Sequence, residues 1–153
     1  MGFDILAFLY TIGCCIISMI IAGKSANKEN KEWFKNLNHP KNPFILKYMN
    51  IIGFGFYILF GYVLYHLLVN NNIVSLIMTI AIIQLMGLSP LLLYKTKHLR
   101  IFFITMFIFP ILVPILIYLL FQINYILAIL VFIYLLCLIY DMNYFYRLMK
   151  LNE

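Results

Sequence analysis

The stretch Trp33–Tyr65, WFKNLNHPKNPFILKYMNIIGFGFYILFGYVLY, turns from a solvated Lys- and Asn-rich segment into a long apolar one within a few residues. It holds the chain's only Trp and two of its five Pro. Pro40 and Pro43 stop a helix from running through the loop, because Pro has no N–H and restricts the residue before it. After Pro43 the sequence reads as one long helix, along which Gly53, Tyr57, Gly61 and Tyr65 recur every four residues. That spacing puts them on one face, in the order small, aromatic, small, aromatic. Such a face packs closely on a neighbouring helix at its glycines, or lines a pocket with its phenols.

The rest of the chain places this helix in a lipid bilayer. Of 153 residues, 65% are hydrophobic and 10% charged, against roughly 45–50% and about 25% in soluble domains. Five apolar runs, 5–23, 44–69, 73–94, 101–121 and 123–144, fill nearly all of it. Each is close to or above the roughly 20 residues a helix needs to cross the hydrocarbon layer. The runs are continuously apolar, whereas barrel strands would alternate over about 10 residues. The fold class expected is therefore all-α: a polytopic membrane protein, a five-transmembrane-helix bundle forming a single transmembrane domain over 1–153, with a loop at 24–43.

Charge gives an orientation. Lys24, Lys28, Lys31, Lys35, Lys41 and Lys47 flank or join the first two runs, Lys95, Lys97 and Arg100 lie between the third and fourth, and Arg147 and Lys150 follow the fifth. The other two connections, 70–72 and 122–124, carry no basic residue. With five crossings the three basic segments share one side, which the positive-inside rule makes cytoplasmic. The N-terminus is then outside and the C-terminus inside. A net charge of +6 is what this topology and anionic headgroups produce, and no nucleic-acid partner is expected. The acidic start Met1-Gly2-Phe3-Asp4 is unlike a signal peptide, and Leu6 breaks the myristoylation pattern. Abundant Asn, Lys and Ile point to an AT-rich genome and a bacterial cell membrane.

Catalytic constellations are missing from the sequence. It has no Ser/His/Asp set, no paired carboxylates and no Gly-rich phosphate loop. Cys14, Cys15 and Cys137 lack metal-ligand spacing and read as small buried hydrophobes. His39, His66 and His98 have no Cys or carboxylate at i±3 or i±4, so no metal site is expected. Asp141 reads as an interfacial acid near Arg147 and Lys150, with a ligand or proton site as the alternative. Gln84 is mid-helix and must face protein or a cavity. Ser89-Pro90, Pro110 and Pro114 should kink their helices.

On these residues the chain resembles the TspO/MBR family, the tryptophan-rich sensory and translocator (peripheral benzodiazepine receptor-like) proteins. The family's first-loop pattern is matched by Trp33, Phe34, Leu37, His39 and Pro40. Its helix-two Tyr-Gly-Tyr is matched by Tyr57, Gly61 and Tyr65, its helix-three Ser-Pro-Leu by Ser89, Pro90 and Leu91, and its last-helix Asn by Asn143. The family's tryptophans fall on Asn42, Gly53, Leu88 and Leu135, and its helix-three Asn on Leu85, beside Gln84. The resemblance implies a receptor or transporter for a flat hydrophobic ligand, a tetrapyrrole such as a porphyrin or haem, or a sterol-like molecule. No cofactor is required. Porphyrin degradation, an activity associated with some members, is not expected where the indoles are replaced. A sterol-type pattern can be drawn through Leu138, Tyr144 and Arg147.

The pocket expected from this reading is enclosed by the first, second and fifth spans. It would be contributed to by Trp33, Pro40, Asn42, Gly53, Tyr57, Gly61, Gln84, Leu88, Leu135 and Asn143. Trp33, Phe34 and Leu37 form an apolar patch that would fold back over its mouth as a lid. Tyr57 and Gln84, both deep in their spans, would pair as its polar anchor. The alternative is a non-catalytic membrane subunit, assembly or immunity-type protein whose Gly53/Gly61 face docks a partner helix or a second copy in a homodimer.

Overall fold

The computed structural model describes residues 4–41 and 44–153, with the side chains of 44–47, 49 and 50 outside that description. Among these described residues seven helices follow in order: α1 Ile5–Ser25, α2 Lys28–Lys35, α3 Phe44–Val69, α4 Ile73–Thr96, α5 Leu99–Met106, α6 Phe109–Phe121 and α7 Tyr125–Asn152. No strand occurs among the described residues. Five helical segments are long and apolar enough to cross a membrane, with α5 and α6 together making the fourth. The protein is an integral membrane protein built as a five-span helix bundle.

Short polar residues start these helices. Asp4 accepts from the Ala7 amide at 3.0 Å, Asn27 from Asn30 at 2.8 Å, Asn72 from Ser75 at 3.1 Å and Asn124 from Ile126 at 2.9 Å. Each satisfies an amide that a helix N-terminus leaves without an internal partner. α4 ends on Lys97 in the left-handed conformation, φ 52°. The fourth span breaks where Pro110 would have had to donate to the Met106 carbonyl, the last residue of α5. Pro90 stays inside α4, where the Ser89 hydroxyl donates to the Leu85 carbonyl at 2.7 Å.

The last helix departs furthest from its predicted bounds, starting at Tyr125 rather than 123 and running to Asn152 rather than 144. Asn124 sets the start as its cap. The extension follows from Tyr144, Phe145, Leu148 and Met149, all buried, which continue an inward stripe after the basic residues begin.

α1 packs chiefly on α4 and also on α3, while α7 packs chiefly on α6 and also on α5 and α3. α1 and α4 approach closely at Gly87, where a β-carbon would lie 2.6 Å from the Ser18 carbonyl oxygen. One half of the bundle is solid: Phe60, Val63, Leu64, Leu67, Ile82, Ile83, Val113, Leu116, Leu120, Leu127 and Val131 are essentially inaccessible. The other half, where the basic loops meet, is hollow.

Candidate functional site: a cavity under the first loop

The hollow half contains a cavity of about 600 Å³, within the roughly 300–1,000 Å³ of small-molecule sites. Every helix contributes to it: Met19 and Gly23 from α1, Phe34 from α2, Gly53, Phe56 and Tyr57 from α3, Met86, Pro90 and Tyr94 from α4, Phe102 and Met106 from α5, Phe109 from α6, and Tyr134, Leu138, Asp141 and Phe145 from α7. The wall is thus wider than the three spans expected from sequence. Its aromatic rings contact one another directly. Phe56 meets Tyr134 edge-on at 4.7 Å between centroids, and Phe102 meets Phe145 in the same way at 4.8 Å, the favoured geometry for such pairs.

α2 and the loop after it fold back onto the bundle. Phe34 is buried and lies 6.3 Å from Tyr94 and 6.4 Å from Phe145, centroid to centroid. His39 donates from Nε2 to the Phe34 carbonyl at 2.9 Å, which leaves Nδ1 to accept from the Tyr144 hydroxyl at 2.8 Å. Asn38 and Asn152 exchange two hydrogen bonds, at 2.9 and 3.0 Å. Lys97 at the end of α4 holds Glu29 of α2 at 2.8 Å. The ammonium beside Glu29 keeps its carboxyl below the usual value of 4.5. Lys31 and Lys35 line the cavity where α2 crosses it.

A comparison with family models matches residues 11–148 to the TspO/MBR family. The chain belongs to the TspO/MBR family. No curated protein and no solved structure returned a match. The match covers nearly the whole chain.

Against the TspO/MBR positions named from sequence, the structure brings some into the cavity and leaves others out. Gly53 and Tyr57 line it. A β-carbon at Gly53 would meet nothing within 4 Å, whereas one at Gly61 would meet Cys15 Sγ at 3.3 Å and Thr11 Cγ2 at 3.5 Å. Gly61 is therefore a packing residue between α3 and α1. The glycine face is used inside the chain, half for packing and half for cavity wall. Trp33 stands behind the wall, edge-on to Tyr94 at 6.4 Å. The lid ring that faces inward is Phe34. Pro40 is half-buried in the docked loop, and Asn42 lies outside the described residues. Leu88 is 44% exposed on the outer side of α4, since the inward face there is Met86, Ser89, Pro90 and Leu93. Leu135 is packed against the core without lining the cavity. Asn143 is exposed and accepts from Arg147 Nε at 3.1 Å, one helical turn on.

The predicted Tyr57–Gln84 pair does not form. The Ser18 hydroxyl donates to the Ile83 carbonyl at 2.5 Å, so at 3.2 Å it is the Tyr57 hydroxyl that donates to Ser18 Oγ. Gln84 instead turns to α1 and donates to the Cys14 carbonyl at 3.4 Å and to Cys14 Sγ at 3.3 Å. Both side chains found partners on α1, which packs on both α3 and α4. Tyr94, Tyr134, Ser89, Lys31 and Lys35 are polar lining residues that sequence reasoning did not assign to the cavity; Asp141, read as an interfacial acid with a ligand or proton site as the alternative, also lines it. The available signal was the spacing Tyr134, Leu138, Asp141, Phe145, which is one face of a helix. Among the described residues no group of three His, Cys, Asp or Glu side chains can hold a metal ion.

Proposed function

We propose that the protein is a non-catalytic receptor that binds a flat hydrophobic ligand, of tetrapyrrole size, in the cavity beneath α2. The supporting observation is the cavity itself: about 600 Å³, walled by aromatic and Met side chains from every helix and capped by Phe34. An apolar, ring-lined space with a few polar groups is the usual make-up of a small-molecule site. The described lining holds no His or Cys, so the fit is to the flat ring system rather than to a metal at its centre. The family supports the same reading. The basic loops further suggest that the capped end faces the cytoplasm, with the N-terminus outside.

The test is a titration of the purified chain in detergent with a neutral, metal-free porphyrin, followed through quenching of Trp33, which abuts the wall residues Phe34 and Tyr94. Saturable quenching is expected. Gly53→Phe should abolish it without unfolding the protein, because the added ring enters the cavity from a position where a β-carbon meets nothing within 4 Å. Porphyrin absorbance should stay constant under illumination in the presence of the protein. Quenching that Gly53→Phe leaves intact would place the ligand elsewhere.

A further inference from the structure

We propose that the cavity selects a flat lipophilic cation, held by the Asp141 carboxylate among aromatic faces. The inference rests on the cavity being a small-molecule site and adds the charge of what enters it. Asp141 lies on the α7 face that walls the cavity, between Leu138 and Phe145. An acid within a membrane-spanning helix is costly unless it pairs, yet among the described residues Asp141 makes no hydrogen bond or ion pair. Three cations at the same end of the bundle have partners elsewhere. Arg147 Nε donates to Asn143, Lys150 pairs with Glu153 at 3.6 Å, and Lys97 pairs with Glu29.

The surroundings of that carboxylate favour a cation. Phe145 follows Asp141 by one helical turn on the same wall and meets Phe102 there. Tyr94 and Tyr134 are 7% and 6% exposed, line the same space, and make no hydrogen bond through their hydroxyls among the described residues. Ring faces carry negative potential and attract cations, more strongly where water is excluded. A neutral occupant would leave the carboxylate desolvated and unpaired, and an anion would add repulsion to that cost. Lys31 and Lys35 also line the cavity, but both are exposed where α2 crosses it, so water and salt screen them far more than they screen Asp141.

Three probes with the same fused three-ring shape separate the alternatives: N-methylacridinium, anthracene and anthracene-9-carboxylate, titrated into the detergent-solubilised full chain. The cation should bind tighter than anthracene by about tenfold or more, and the carboxylate weakest. Asp141→Asn should bring the cation-to-anthracene affinity ratio to about one, while Asp141→Glu should retain the preference. A cation-to-neutral ratio near one in the wild-type chain overturns the proposal even if Asp141→Asn fails to fold. An unchanged ratio in folded Asp141→Asn overturns it too, and so does tightest binding of the carboxylate, which would make the lysines the anchor. In those cases probe binding that Gly53→Phe blocks leaves the cavity reading standing. If no probe binds the wild type, or if Gly53→Phe has no effect, both readings fall.

Discussion

Tyr57 shows what a single side chain can conceal in a sequence. Its place on the inner face of α3 was legible from the four-residue spacing with Gly53 and Gly61. Its hydrogen-bond partner was not, because depth in a span says nothing about which neighbour occupies the intervening space. With the hydroxyl donated to Ser18 at 3.2 Å, it is committed to α1. Tyr57→Phe should therefore leave porphyrin affinity almost unchanged and cost about 0.6 kcal/mol, the average for such bonds between membrane helices. Ser18→Ala should cost more, about 1–3 kcal/mol, because it strands a buried phenol. Thermal unfolding in detergent, run beside the titration, reads both. A tenfold loss of affinity in Tyr57→Phe would return the hydroxyl to the binding site.

At the level of elements, the positions of the spans were readable because apolar length is a coarse and strong signal. Their mutual contacts were not. Gly87 fixes how closely α1 and α4 approach, and nothing in an apolar run marks which glycine has a backbone against it. A β-carbon there would lie 2.6 Å from the Ser18 oxygen and 3.0 Å from its Cα. Neither atom can yield without moving α1. Gly87→Ala should lower stability by about 1–3 kcal/mol, whereas Gly53→Ala, with free space around it, should be neutral or stabilising by up to about 1 kcal/mol. A differential thermal shift between the two variants checks this. The docking of α2 depends partly on the Glu29–Lys97 pair. Glu29 has a folded-state pKa below its ordinary 4.5, so its contribution is full above that value and is lost as pH falls through the lowered one. Glu29→Gln should produce at neutral pH the loosening that acid produces in the wild type, seen as a red shift of Trp33 emission. High salt should act in the same direction. Trp33 emission that ignores pH, salt and the substitution would mean that Phe34 and His39 alone hold the lid.

For the whole molecule, composition and charge sufficed for a five-span bundle with its basic loops together. The cavity was anticipated only in outline. Its wall includes α4 through Met86, Pro90 and Tyr94, and both α5 and α6 through Phe102 and Phe109 on either side of the break before Pro110; a list of apolar runs does not reveal which residues a broken span turns inward. The tight packing of the opposite half, from Phe60 to Val131, carries a consequence of its own. Among the described residues the cavity rests on a tightly packed floor, and a solute crossing to the far side of the bilayer would have to pass through it. Liposomes containing the protein should hold an imposed proton gradient as long as protein-free ones, with or without porphyrin, as a pH-sensitive dye in the lumen would report. Any movement of a ligand across the membrane would then require the floor residues to part, one side opening only while the other is shut.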